Sequence, residues 1–202
     1  MGIYARYLLP RLTHFAMDRK LLLPYRPRVI GGATGQVLEI DVGSGLNLPV
    51  YNDGVEEVTG IDISPQLLAM AERAAVLESQ RRHLRVRLLE GSAENLPYAI
   101  ADSSVDTVVI TWALCSIRDV GAALAEAHRV LRRSGSLRFV EHGRSPDISV
   151  AWWQDRLTPL WRRCSGGCHL NRKTHDLLRS AGFRLAHLAT GYAQATPNGV
   201  HV

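Results

Sequence analysis

Val37-Leu38-Glu39-Ile40-Asp41-Val42-Gly43-Ser44-Gly45-Leu46-Asn47 runs from a β-rich stretch straight into a turn of small residues. Its first five residues, Val37–Asp41, read as a strand, and the glycines after it mark a tight strand-to-helix turn. Outward from this stretch the same alternation continues. Glu57–Ile61, Leu84–Leu89, Val105–Thr111 and Ser136–Glu141 are short runs with strand character, while Pro65–Glu78 and Val120–Arg132 carry helical periodicity. In the second helix Leu124, Ala127 and Leu131 form the apolar stripe and Glu126, Arg129 and Arg132 the polar face. The run Val105-Asp106-Thr107-Val108-Val109-Ile110 is mostly apolar, as a central strand covered on both faces should be. Strands and helices spaced in this way form βαβ crossovers. The expected fold class is therefore α/β, a doubly wound and mostly parallel sheet.

The flanks are less regular. Tyr4, Leu8, Leu12, Phe15 and Ala16 recur at three-to-four spacing, which predicts an amphipathic helix over about Ile3–Leu23. Pro24, Pro27 and Gly31-Gly32 then break regular structure. This divides the chain into a helix and linker over 1–35 and a core domain over 36–202. Such a helix can cover a pocket of the core domain or make peripheral contact with a membrane surface. Beyond residue 148, Val150, Trp153, Leu157, Leu160 and Trp161 follow helical spacing, with Pro159 expected to kink or end the helix. Another helix, about Lys173–Ala181, stops at Gly182. The last twenty residues alternate weakly and are expected to return to the sheet edge.

Composition narrows the class. With 202 residues, 46% hydrophobic and 21% charged, the chain suits one globular domain. It has no stretch of about 18 apolar residues, and Arg6, Arg11 and Asp18 interrupt any leader-like apolar region. Three cysteines, Cys115, Cys164 and Cys168, are too few for a disulfide framework and suit a reducing, cytoplasmic setting. The net charge of +5 comes from basic residues scattered along the chain without an aromatic-plus-basic motif, so no nucleic-acid partner is expected.

The chemistry centres on the opening stretch. In an open α/β sheet the first strand-to-helix turn lies at the topological switch point, where ligands bind. Gly43 and Gly45 let the backbone approach a ligand at positive φ. Asp62 closes the next strand, roughly 20 residues on, where an acidic side chain can accept both ribose hydroxyls of an adenosine. Together these features fit an adenosine-containing cofactor. The turn lacks the G-x-G-x-x-G spacing of a dinucleotide fingerprint, since Gly43 and Gly45 are followed by Pro49 and Val50 and by no third glycine, which argues against hydride transfer.

Several motifs in order resemble class I S-adenosyl-L-methionine (SAM) dependent methyltransferases, whose fold is a Rossmann-like single domain. Glu39-Ile40-x-Val42-Gly43-Ser44-Gly45 is similar to their motif I and Gly60-Ile61-Asp62-Ile63-Ser64 to their acidic loop. Gly91-Ser92-Ala93-Glu94-Asn95-Leu96-Pro97 looks like the adenine-side loop, and Ser104-Val105-Asp106-Thr107-Val108 like the lead into the fourth strand. Trp112-Ala113-Leu114-Cys115-Ser116-Ile117, Phe139-Val140-Glu141-His142, the Trp153 to Trp161 spacing and Gly166-Gly167-Cys168-His169-Leu170-Asn171-Arg172 narrow the likeness. They resemble UbiE-related, type 11 methyltransferases akin to the mammalian methyltransferase-like 7 proteins, which implies alkyl-thiol S-methylation. The resemblance implies that Gly43 and Gly45 pass the methionyl end of SAM and that Glu39 fixes its surroundings. It implies Asp62 on the ribose, Ile63 on the adenine, Ala93 and Glu94 beside the ring, and Thr111 to Leu114 beside the sulfonium. A small, apolar acceptor is the implied partner, with a quinone carbon or lipid amine as alternatives to a thiol.

Three positions depart from the family's pattern. Asp41 stands where motif I has its first glycine, placing a carboxylate and a Cβ beside the cofactor's methionyl end. Arg133-Ser134 replaces the usual Pro-Gly before strand five, and the tail to Val202 looks shorter than the family's closing hairpin. If Asp41 abolished cofactor binding, the chain would be a non-catalytic binding protein on the same fold. Cys164-x3-Cys168-His169 has no second ligand pair at zinc-site spacing, so no metal is expected. His142 and His169 are the candidate catalytic groups, each able to orient or deprotonate a nucleophile or to serve as a structural histidine. Among Trp152, Trp153 and Trp161, one is expected in the core and one in a pocket wall.

Overall fold

The computed structural model describes residues 4–193. Five parallel strands form its sheet: β1 (Gly35–Ile40), β2 (Val55–Asp62), β3 (Arg85–Glu90), β4 (Val105–Thr111) and β5 (Leu131–Val140). Their order is β3-β2-β1-β4-β5. The chain therefore reverses its direction of travel between β1 and β4, which pair in register from Val37–Thr107 to Ile40–Ile110. That reversal is the switch point, and it sets the Gly43–Gly45 turn at the carboxyl ends of the two central strands.

Alternation along the strands sorts side chains into two layers. Leu38 and Ile40 of β1 and Val108 and Ile110 of β4 pack with Ala123, Leu124 and Ala127 of α4 (Val120–Val130) and Leu178 of α6 (Thr174–Ser180). Val37 and Val109 point the other way, onto Ile30, Leu48, Tyr51 and Val58. Glu39 lies in register with Val37 on that second face and is 1% exposed. Local sequence explains the helix starts. Ser64 accepts from Leu67 N at 3.3 Å before Pro65 opens α3 (Pro65–Arg82), and Asp119 accepts from Ala122 N at 2.9 Å to start α4.

The N-terminal helix is shorter than its periodicity predicts. A π-helical turn covers Tyr4–Leu8, and α1 covers only Leu9–Met17. Pro10 opens α1 because its ring offers no N–H and tolerates only the first turn. The same tolerance explains α2 (Tyr25–Ile30), which forms where Pro24 and Pro27 predict a break. Helix α4 ends at Val130 rather than Arg132, and β5 starts at once at Leu131. A register irregularity against β4 between Val105 and Thr107 takes up the extra residues, so Arg133-Ser134 lies within the strand rather than in a turn. Gly135 is required there, since a Cβ would come within 3.0 Å of Leu131, Arg132 and Asp106 atoms.

Helix α5 (Ile148–Cys164) passes through Pro159 without ending. Its buried residues are Ala151 and Thr158. Gly182 adopts φ 88° just after α6, as its sequence position predicts. No named strand forms over 183–193, although Tyr192 takes part in a β-bridge, and the rest of the expected return to the sheet edge, residues 194–202, lies outside the described residues. Edge strand β5 borders a groove of about 1670 Å³, lined in part by Arg138, Phe139 and Arg184. Among the described residues no helix is long and apolar enough to cross a membrane.

Candidate functional site

Beneath the turn after β1 lies a set of buried polar contacts. Glu39 Oε1 accepts from Asn47 Nδ2 at 2.7 Å and Oε2 from Tyr51 OH at 2.7 Å. Asn47 Nδ2 also donates to Thr111 Oγ1 at 2.9 Å, and Asn47 Oδ1 accepts from the Arg26 guanidinium. Arg26 in turn donates to Met17 O at 3.0 Å and stacks over Trp112. Burial pushes Glu39 up to about 7, against the lowering effect of its bonds to Tyr51 and Asn47 and of the Arg26 charge. The network joins α1, α2, β1 and β4 under one loop. His14 of α1 adds a contact from above, its Nδ1 lying 2.7 Å from Ser44 Oγ.

The turn itself is unusual in its backbone. Asp41, Gly43 and Gly45 all have positive φ, at 53°, 58° and 78°. Gly45 packs so closely on α3 that a Cβ would stand 3.1 Å from Ala71 Cα. Asp62, 5% exposed, fixes the loop from the end of β2. Its Oδ2 accepts from Gly43 N at 3.0 Å and its Oδ1 from Ser64 N at 2.7 Å. Each oxygen keeps a further acceptor site. Ile63 beside it is 58% exposed, while Ala93 is buried. Glu94 accepts from Asp119 N at 2.8 Å, which ties the adenine-side loop to the start of α4.

Acidic groups converge here. Burial pushes Asp41 up to about 8, with Asp62, Glu141 and Glu94 adding repulsion in that order. Asp62 is also raised by burial, opposed by its backbone donors. Burial pushes Glu141 up to about 7. This concentration of carboxyls suits a ligand carrying positive charge, and SAM carries it on both its sulfonium and its ammonium. A protonated Asp41 also presents no full negative charge to a ligand carboxylate. The residues present therefore fit SAM, the departure at Asp41 included.

A second group of side chains gathers at the ends of β4 and β5. Cys115 follows β4, His142 follows β5, and Cys168 lies between α5 and α6. Their donor atoms all lie within 4.8 Å of one another. His142 Nε2 stands 3.2 Å from Cys168 Sγ. Cys115 N donates to Glu141 Oε2 at 3.2 Å, and Cys115 O accepts from His169 N at 2.8 Å. The hydrogen bond from Cys115, with that from His142, holds the Cys168 thiol well below its ordinary range, while Cys115 is raised. Burial works against His142, yet its bond to Cys168 and the charge of Glu141 raise it.

The structure thus separates the two candidate histidines. His142 faces a thiol, whereas His169 Nδ1 lies 3.1 Å from Cys115 O and holds the main chain of the neighbouring loop. Thr111 belongs to the network under the Gly turn, whereas Leu114 is fully buried in the core and its carbonyl accepts from Arg172. Cys164 sits exposed at the end of α5, apart from the group its spacing suggested. Trp152, Trp153 and Trp161 are 47%, 57% and 45% exposed, so none is core. Spacing missed Cys115 because its partners are 27 and 53 residues away along the chain, on other elements. The only local signal was a small loop after each of two strand ends.

The family described as Methyltransferase domain matches residues 38–139, half of the chain. Thiol S-methyltransferase TMT1B of Rattus norvegicus is 36% identical over 149 residues, 73% of this chain and 59% of that protein. The human TMT1B is 33% identical over 180 residues, 87% of this chain and 72% of that protein. The chain thus spans about three fifths of the rat relative. The crystal structure of YcgJ from Bacillus subtilis aligns at TM-score 0.63 with 23% identity, covering 86% of this chain and 70% of that one, which shows a shared fold.

Proposed function

The chain belongs to the methyltransferase domain family, and from that premise we propose that it transfers a methyl group from SAM to a small, apolar alkyl thiol. The observation that carries the reading is the positive-φ turn at the switch point, held by the buried carboxylate of Asp62 and backed by a converging set of acidic groups. Both thiol S-methyltransferases that the chain resembles support the acceptor class.

When bound, SAM supplies a methyl group already activated by its sulfonium. In this reading Asp62 accepts from the ribose hydroxyls, and Ile63 covers the adenine with Ala93 and Glu94 at its rim. Gly43 and Gly45 leave room for the methionyl end, while Glu39 holds the loop through Asn47 rather than touching the ligand. His14 and Arg26 fasten the N-terminal helices to the loop and limit water there. His142 and the half-exposed indoles of α5 border the acceptor side. With the methyl group already activated, aligning the acceptor and excluding water are the main tasks.

Calorimetry with SAM and S-adenosylhomocysteine, followed by competition among thiols, phenols, quinones and amines, tests the proposal. Alkyl thiols are expected to be methylated fastest near neutral pH, because a thiolate forms readily and attacks well. Preference for a quinone or amine would replace the acceptor class. Absence of SAM binding in the parent, with binding in Asp41→Gly, would make the chain a binding protein on a methyltransferase fold.

A further inference from the structure

Cys115, His142 and Cys168 come from three separate elements yet bring two sulfurs and one imidazole nitrogen within 4.8 Å of one another. In a tetrahedral zinc centre, bonds of about 2.3 Å to sulfur and about 2.0–2.1 Å to nitrogen leave ligand atoms roughly 3.5–3.8 Å apart. The His142–Cys168 separation of 3.2 Å needs only a small opening to reach that spacing. Two soft sulfurs with one imidazole select a thiophilic cation over a hard one such as magnesium. The surrounding contacts also resemble those that orient ligands. Glu141 accepts from Cys115 N, and the His169 main chain donates to Cys115 O, so the Cys115 backbone is held from two sides.

We propose that Cys115, His142 and Cys168 form a three-ligand zinc site whose fourth position receives the acceptor thiol. The site lies at the carboxyl ends of β4 and β5, and Glu141 links it to the cofactor turn, bonding the Cys115 amide while raising Asp41. Three protein ligands and one open position are the pattern of zinc sites that act on a substrate. Thiol capture there breaks the S–H bond and forms a sulfur–zinc bond. The proton passes to water and no electrons are exchanged with another reagent. Two cysteine thiolates, neutral His142 and the dication sum to zero charge before the substrate thiolate adds one negative charge. The thiol-binding role rests on the function proposed above, whereas the metal site does not.

Metal-free protein, prepared under reducing conditions and dialysed against a chelator, is titrated with zinc against a competing dye and with cobalt followed by absorption. The expected result is one metal per chain at micromolar or tighter affinity, with sulfur-to-cobalt charge-transfer bands and tetrahedral ligand-field bands. Cys168→Ser and His142→Ala should each weaken binding roughly 100-fold or more, and Cys164→Ser should leave it unchanged. These variants avoid disturbing buried Cys115, and circular dichroism checks their folding. Adding an alkyl thiol should shift the cobalt bands, and adding the corresponding alcohol should not. No stoichiometric metal, equal loss in Cys164→Ser, or a Cys115–Cys168 disulfide in place of metal overturns the site. Tight metal binding with unshifted bands on thiol addition overturns the open fourth position. SAM calorimetry on the metal-loaded protein separates the readings, since absent SAM binding there sinks the cofactor proposal without touching the metal titration.

Discussion

The turn after β1 and the Cys115–His142–Cys168 group stand at the same end of one sheet, yet they are built in opposite ways. Around the turn Glu39 and Asp62 have named donors: Asn47 and Tyr51 on Glu39, Gly43 and Ser64 on Asp62. Most of these partners lie within 20 residues of one another. The second group joins residues from a post-β4 loop, the end of β5 and the α5–α6 connection, and α5 beside it keeps its indoles half-exposed. One region is fixed before any ligand arrives. The other leaves apolar surface exposed beside a partly buried cluster, as a region that receives a variable molecule needs.

The sharpest way to break this contrast is to remove the Asp62 carboxylate, which holds the loop and is proposed to bind the ribose. Asp62→Ala is expected to weaken SAM binding at least ~100-fold, since two charge-assisted hydrogen bonds to the ribose are lost. Circular dichroism should remain near the parent's, because the fold itself loses only the two amide hydrogen bonds of Gly43 and Ser64. Unchanged affinity by calorimetry would take Asp62 out of the site. Next in size is Glu39→Ala, which strands the buried Asn47 amide and the Tyr51 hydroxyl and should cost about 2–3 kcal/mol in chemical denaturation. Glu39→Gln keeps one acceptor and should cost about 1 kcal/mol. Equal, negligible losses in both would show that the network under the turn is not a fixed platform.

Asp41→Gly tests the smallest and most particular effect. Relief of a side chain at φ 53° and of a buried carboxyl should stabilise the protein and tighten SAM binding several-fold, on the order of 1 kcal/mol. The pH dependence has a definite sign. A carboxyl raised to about 8 in the folded chain binds a proton that the unfolded chain releases near pH 4. Stability from that protonated carboxyl is therefore full below about pH 4 and is lost as pH rises through 8, with Glu39 and Glu141, near 7, adding loss in the same direction. Because Asp41 retains some solvent contact, its share should be nearer 1–2 kcal/mol than the full shift implies. Thermal melts from pH 5 to 9 should fall less steeply for Asp41→Gly than for the parent. Parallel curves would mean that Asp41 is an ordinary exposed carboxylate.

The amino-acid sequence by itself determined the α/β class, the alternation of strands and helices along the chain, the Gly43–Gly45 turn and Asp62. Each of these rests on short-range rules: period-two strands, small residues at a turn, an acid closing the next strand. It also placed α4's buried face, although not its end, because Val130 to Ser134 has no residue that marks where a helix must yield to a strand. Tertiary structure alone decided which residues met across long gaps. It turned Leu114 into the core, left the α5 tryptophans in solvent, and split His142 from His169. It also assembled Cys115, His142 and Cys168, although Cys164 and Cys168 are the nearer pair in sequence. The reason is topological. Parallel strands are connected through crossovers, so neighbours at the carboxyl ends of β4 and β5 are set by sheet order, and sequence distance carries no record of that proximity.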